Sequence, residues 1–142
     1  MRVVERTVWT PYSAKQMYAL VNDITKYPGF LPGCKEAKIL HQDENEIHAS
    51  LIIHKSGIEQ EFSTRNVLDV NRSITMHLLK GPFRYLHGVW NFEPKAAGCE
   101  INFILEFEFQ SKLMDIAFGP IFEGITSKMV HAFVEQAREI YE

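Results

Sequence analysis

Apolar residues occupy every odd position from Cys99 to Phe109, and all but one of the even positions are polar. Successive side chains of a β-strand point to opposite faces, so this pattern puts one set in a core and the other in water. The inward set would be Ile101, Phe103, Leu105, Phe107 and Phe109. A strand with one dry face needs neighbouring strands with the same pattern and a layer that covers them.

Similar alternation recurs in earlier segments of the chain, at residues 46–54, 58–70, 73–80 and 85–92, and residues 3–9 are β-branched and aromatic. The turns between these segments are short, which favours antiparallel neighbours. We therefore predict an α+β protein with a curved antiparallel sheet of about six to seven strands.

Helical signals lie at two places, after the first strand and at the end of the chain. Ser13 and Gln16 have the spacing of a capping box, and Asp23 is placed to open a second short helix. Residues 112–141 carry one apolar stripe behind an N-cap at Ser111. Gly119 and Pro120 interrupt that stripe, so we predict a kink or split there.

Length and charge limit the function classes that fit this chain. Its 142 residues suit a single domain spanning 1–142, and a net charge of −3 with no run of basic residues gives no reason to expect DNA binding. Charges among the first apolar residues do not fit a signal peptide, and no apolar run reaches the roughly 20 residues of a membrane span. We expect a cytoplasmic protein with at most transient, peripheral contact at the inner membrane.

The two cysteines, Cys34 and Cys99, do not form a CxxC pair, and free, partly buried thiols are expected. The six histidines show no metal-ligand spacing, and Glu106 and Glu108 fall on the wet face of their strand. There is no nucleophile elbow or phosphate-binding loop. We therefore expect no metal, no required cofactor, no catalytic residue and no enzymatic activity.

A long helix across a strongly curved sheet is expected to leave a gap near the kink, walled by apolar side chains. Thr64, Gln60, Asn66 and Tyr27 are the candidates for polar groups in that gap. The alternative is that the aromatic residues pack as a solid core.

Four motifs resemble those of one known family. Residues 27–34 (YPGFLPGC) are similar to the YPxFLPxC signature of the coenzyme Q-binding protein family, which is grouped with the bacterial ribosome association toxin family and the START-like polyketide cyclases. Gly81, Pro82 and Phe83, followed by Leu86, Gly88, Trp90 and Phe92, resemble its GPFxxLxGxWxF strand. Residues 107–111 (FEFQS) resemble the start of its closing helix, and residues 17–23 its first helix.

This resemblance implies a helix-grip fold and two roles on one scaffold. The first is binding of ubiquinone or a similar lipid, as a carrier or chaperone for respiration, and the second is association with the large ribosomal subunit, which blocks subunit joining and translation. A polyketide cyclase-like enzyme is a third reading. Quinone binding is the leading expectation here, with these candidate ligand-binding residues: Tyr27, Phe30, Leu31, Phe62, Thr64, Met76, Phe83, Leu86, Trp90, Phe103, Phe118 and Phe122.

Overall fold

The computed structural model describes all residues 1–142 and contains one seven-stranded antiparallel sheet. The strand order is β1-β7-β6-β5-β4-β3-β2, so β1 joins the C-terminal strand and β2 forms the opposite edge. The strands are β1 (Arg2–Thr10), β2 (Cys34–Gln42), β3 (Glu46–Lys55), β4 (Ile58–Asp69), β5 (Ser73–Lys80), β6 (Phe83–Lys95) and β7 (Gly98–Phe109). The predicted fold class is confirmed, and the six strands expected from the sequence are present with somewhat different ends.

The strand β2 was not predicted. Cys34, Ala37 and Ile39 pack against the core. Register shifts against β3 fall between Cys34 and Glu36 and between Ile39 and His41. Such irregularities change which residues face the core, so the regular alternation that marks the other strands is lost. Most other side chains of β2 are exposed, as is common at a sheet edge.

The first helix, α1 (Ala14–Asn22), begins as the sequence predicts. The Ser13 hydroxyl accepts a hydrogen bond from the Gln16 amide at 3.1 Å, and the Gln16 side chain accepts one from the Ser13 amide at 2.9 Å. A short 3-10 helix (Ile24–Gly29) follows. Together these two helices cover the sheet beside the C-terminal helices.

The C-terminal helix is divided, but not where the sequence predicts. Helix α2 (Lys112–Ser127) runs through Gly119 and Pro120, and the break falls at Lys128, before α3 (Met129–Tyr141). Pro120 is exposed, so water can reach the carbonyl group whose helical partner the proline removes. Just before the break, the hydroxyl of Thr126 donates to the Phe122 carbonyl at 2.8 Å and that of Ser127 to the Gly124 carbonyl at 3.0 Å. Hydroxyl groups that bond back to helix carbonyls favour bending at such a point.

Two groups of aromatic rings fill the space between the sheet and the helices. At one end, Phe83 stacks on Phe109 at 4.7 Å, and Phe122 lies 4.9 Å from Phe107. At the other end, the Trp90 ring lies 4.3 Å from Phe103 and 5.4 Å from Phe133. The odd-numbered residues of β7 are all buried, as their alternation predicts. The core is therefore densely packed at both ends, and the remaining space lies between them.

Candidate functional site: an apolar hollow

A hollow of about 70 Å³ lies between the inner face of the sheet and the helices. Nineteen residues line it, and fifteen of them are hydrophobic. They come from strands β2 to β7, from the 3-10 helix and the loop after it, and from both sides of the break between α2 and α3. No lining residue carries a charged side chain. The expected gap therefore exists, although it is centred on the helix break and not on Pro120.

Eight of the twelve candidate residues line this hollow. They are Tyr27, Leu31, Phe62, Thr64, Met76, Leu86, Trp90 and Phe122. Of the polar candidates, Thr64, Asn66 and Tyr27 belong to the lining and Gln60 does not. That these residues bind a ligand remains a prediction, since the geometry places them together without a bound molecule.

The other four candidates lie outside the lining because they pack against neighbouring rings. Phe103 lies behind Trp90, and Phe30 packs against Phe133 at 5.2 Å. Phe83 and Phe118 both contact Phe109, at 4.7 Å and 5.8 Å. An alternating pattern identifies the inward face of a strand, but it does not show which inward side chain meets a void.

Several lining residues were not among the candidates. Ile125, Thr126 and Met129 flank the helix break, and Pro32 and Cys34 follow Leu31 in the loop and β2. The helical stripe already contained Ile125 and Met129, and the loop motif already contained Pro32 and Cys34, so the sequence signal was present. What the sequence did not show was the position of the break between α2 and α3, which brings these residues to the hollow.

The hydroxyl groups in the hollow are already engaged by the protein. The Tyr27 hydroxyl donates to the Val21 carbonyl, Thr64 donates to the Asn66 side-chain oxygen at 2.8 Å, and Thr126 donates to a backbone carbonyl. Burial raises the pKa of the Cys34 thiol to about 11 and the pKa of Tyr27 well above its ordinary value. These groups are therefore uncharged at neutral pH, and the hollow suits an apolar guest.

The size of the hollow limits that guest. One buried water needs about 10–15 Å³ of such space, so the hollow holds on the order of five water-sized groups. A single isoprene unit has five carbons and would fill it, whereas a long prenyl chain would extend beyond it or require the helices to move. Gly88 contributes to this shape, because a Cβ there would overlap the methyl group of Met76, which lines the hollow.

The loop at the mouth of the hollow is held against the surrounding elements. The Leu31 amide donates to the Tyr27 carbonyl at 2.8 Å, and the Gly33 carbonyl accepts from the His54 amide at 2.8 Å. Gly33 has φ +83° and lies so close to Ile125 that a side chain would not fit. Pro32 is exposed and Ile125 half-buried, so the hollow approaches the surface between this loop and α2.

The architecture is that of START-like proteins, with a curved sheet gripping C-terminal helices around an apolar hollow. Residues 10–134 match the family described as polyketide cyclase / dehydrase and lipid transport, and the chain belongs to that family. The resemblance carried by the sequence motifs is thereby confirmed. No helix of the protein combines the length and the apolar character needed to cross a membrane.

Two curated relatives and one solved structure illustrate this kinship. The chain is 46% identical over 142 residues to the ribosome association toxin RatA of Escherichia coli, covering 99% of this chain and 90% of the relative. It is 30% identical over 135 residues to the mitochondrial coenzyme Q-binding protein COQ10 homolog B of Xenopus laevis, covering 92% of this chain and 55% of that protein. The fold matches that of the ZhuI aromatase/cyclase from Streptomyces sp. R1128 with a TM-score of 0.87 at 17% identity, covering 99% and 96% of the two chains.

Proposed function

We propose that this protein associates with the large ribosomal subunit and thereby blocks subunit joining and translation. The observation that carries this proposal is the 46% identity to a ribosome association toxin, which extends over nearly the whole of both chains. The relative named for coenzyme Q is less similar, and this chain spans only about half of it. The order of the two roles expected from the motifs alone is therefore reversed. On this proposal residues 1–142 act as one domain, in the cytoplasm.

Gradient sedimentation of ribosomes tests the proposal directly. When the protein is expressed at a high level, we expect joined ribosomes to decline, free subunits to accumulate and the protein to sediment with the large subunit. A lysate of the same cells grown without induction is the control. Unchanged ribosome profiles, with the protein remaining at the top of the gradient, would rule this function out.

An exposed apolar stripe on α2 is the surface that we assign to this contact. Leu113 is 76% exposed and Ile116 64% exposed, and the exposed residues Ala117 and Pro120 lie on the same side of the helix. Contiguous apolar patches on a protein surface often mark the place where a partner binds. Lys112 directly precedes Leu113, and Lys128 follows the end of the helix; both are exposed cations. Cations of this kind favour a partner that contains nucleic acid.

A paired substitution tests the assigned surface. Changing Leu113→Asp and Ile116→Asp together should abolish sedimentation with the large subunit, because acidic groups would repel phosphates and remove the apolar contact. Val70→Asp is the matched control, since Val70 is 62% exposed outside this stripe. If the double variant folds and still sediments like the wild type, the stripe is not the contact surface.

We further propose that the protein acts by binding and not by catalysis. The lining of the hollow contains no carboxylate, imidazole or cation. Its hydroxyl groups already donate hydrogen bonds to neighbouring acceptors. General acid–base catalysis requires a group that can exchange a proton with the substrate near neutral pH. The kinship with cyclases is a kinship of fold, and activity depends on the site.

Binding of a short isoprenoid or similar lipid is the second candidate function, favoured by the uncharged, apolar lining. We expect a quinone with about one or two isoprene units to raise the melting temperature of the purified protein. Leu86→Lys should abolish that response by placing a charge in the hollow, and Trp90→Ala should weaken it by removing part of the wall. No response of the wild type to any chain length, or an equal response of a folded Leu86→Lys variant, would exclude this role.

A further inference from the structure

The hairpin that joins β2 to β3 brings two imidazoles and two carboxylates together at the outer edge of the sheet. His41 and His48 are direct cross-strand partners, with ring centroids 5.0 Å apart. His41 Nε2 lies 3.0 Å from Asp43 Oδ2, and His48 Nε2 lies 3.1 Å from Glu46 Oε1. The ligating atoms of His41, Asp43 and Glu46 all lie within 4.8 Å of one another.

The oxygen of each carboxylate that faces away from the histidines is fixed by further hydrogen bonds. Asp43 Oδ1 accepts hydrogen bonds from the Asn45 amide at 2.8 Å and the Glu46 amide at 2.9 Å. Glu46 Oε2 accepts one from Arg65 Nη1 at 2.8 Å. The second oxygen of each carboxylate is thus held toward a histidine. Outer partners of this kind orient the ligands of known metal sites.

Two of the distances between these atoms suit a small transition-metal ion. Zinc binds imidazole nitrogen and carboxylate oxygen at about 2.0–2.2 Å, which separates neighbouring tetrahedral ligands by roughly 3.3 Å. The two nitrogen–oxygen distances, 3.0 Å and 3.1 Å, are close to that separation. His41 and Asp43 are exposed, so an ion can enter from solvent without any rearrangement of the core.

We propose that His41, Asp43 and Glu46 form a binding site for a divalent transition-metal ion of the zinc class. In the bound form the His41 imidazole offers the Nε2 lone pair and keeps its proton on Nδ1, each carboxylate offers the oxygen that now faces a histidine, and water completes the coordination. His48 lies beside Glu46 Oε1 and helps to orient that carboxylate. The three ligands come from two adjacent strands and the turn between them, which is why the linear spacing of the histidines does not reveal the site.

Metal binding at this position would strengthen the edge of the sheet. The strand β2 pairs only with β3, and one of its register shifts falls between Ile39 and His41, directly beside the site. An ion held by residues of both strands would close this irregular part of the hairpin. Because an ion that binds only the folded state stabilises it, the melting temperature should rise with the ion concentration.

Titration of the full-length, metal-free protein with Co²⁺ and Zn²⁺ tests the proposal. We expect one Co²⁺ per chain, with the visible absorption bands of a tetrahedral nitrogen and oxygen site, displacement of Co²⁺ by Zn²⁺, and a higher melting temperature with Zn²⁺. His41→Ala and Asp43→Asn should each weaken binding about tenfold or more, and Arg65→Ala should weaken it through Glu46, in the roughly 10–100-fold range known for outer partners.

Two exposed histidines provide matched controls. His54 lies at the end of the same strand β3, and His131 lies on α3, so His54→Ala and His131→Ala should bind metal like the wild type. The proposal is overturned if the wild type shows no saturable binding, or if a folded His41→Ala variant binds as tightly as the wild type. Because His41 is exposed, its substitution is not expected to impair folding.

Discussion

At the level of single residues, close contacts in the core distinguish glycines that are required from glycines that are not. Gly98 begins β7 in the turn after β6, and a Cβ there would overlap the Thr10 carbonyl oxygen and press on Pro11. These are backbone atoms that cannot move aside without shifting the end of β1. Gly124, within α2, has no atom within 4 Å of the position of a Cβ.

We therefore predict opposite effects for two alanine substitutions. Gly98→Ala should lower the free energy of unfolding by about 1–3 kcal/mol through overpacking. Gly124→Ala should raise it by roughly 0.5–1 kcal/mol, since glycine inside a helix is unfavourable relative to alanine. Denaturant unfolding of both variants measures the effects. An unchanged midpoint for Gly98→Ala would contradict the close approach to Thr10.

The two cysteine thiols are expected to react slowly in the folded protein. Burial raises the pKa of Cys34 to about 11 and that of Cys99 to about 11, from an ordinary value of 9.0. Because the thiolate is the reactive form, Ellman's reagent should modify both thiols slowly at pH 8 and rapidly after denaturation. Fast modification of either thiol without denaturant would show that the surrounding core opens easily.

The same shifts predict how stability depends on pH. The thiols lose their protons near pH 9 in the unfolded chain but only near pH 11 in the folded protein. Above pH 9 the folded state therefore binds more protons than the unfolded state, so the free energy of unfolding should fall as the pH rises from about 9 to 11. Replacing both cysteines with alanine should make this part of the stability profile less steep, as measured by denaturant unfolding.

At the level of elements, the proline in α2 is a strong sequence signal whose expected effect, a break in the helix, is not found. Gly119 and Pro120 were expected to interrupt the helix, but Gly119 instead provides room for the side chain of Arg2 from β1. Arg2 Nε donates to Asp115 Oδ1 at 2.9 Å, and Arg2 Nη1 lies 3.3 Å from Glu123 Oε1. These contacts hold α2 to the sheet on both sides of the proline, so the helix continues past it.

Replacing this proline should stabilise the protein. In Pro120→Ala an amide hydrogen becomes available for the Ile116 carbonyl, and the alanine adds no bulk at an exposed position. We expect the free energy of unfolding to increase by about 1–3 kcal/mol, up to the full difference in helix propensity. Thermal or denaturant unfolding measures the change, and a loss of stability would show that Pro120 is required for the path of the helix.

At the level of the whole molecule, the hollow is a place where the core is not fully packed, so filling it should stabilise the protein. Ala49 on β3 lines the hollow and is 3% exposed, so a larger side chain there would fill the space without reaching the surface. Ala49→Val should raise the free energy of unfolding by about 0.5–2 kcal/mol, the usual gain from filling a cavity. It should also reduce any response to a short isoprenoid quinone.

A second buried alanine provides the comparison for this prediction. Ala137 on α3 is fully buried and does not line the hollow, so Ala137→Val should instead destabilise the protein by about 1–3 kcal/mol. Chemical unfolding of the two variants side by side separates the effects. Equal destabilisation by both substitutions would mean that the hollow closes in solution.

Much of the fold and part of the candidate site could be predicted from the sequence. Alternation in residues 99–109 identified β7 and its inward residues, and the capping box identified the start of α1. The edge strand β2 was not predicted because its bulges break the alternation. Phe103 and Phe118 were grouped with Trp90 and Phe122 because all four face inward, although only the last two meet the hollow.

The linear sequence by itself determined the periodicities, and with them six of the seven strands, the helical segments and the face that each one buries, because these depend on side chains a few positions apart. Only the tertiary structure decided where the last helix divides, which inward side chains border the hollow, and that His41 and His48 lie beside two carboxylates. Those features depend on contacts between distant segments, where packing and register, not local pattern, determine which atoms become neighbours.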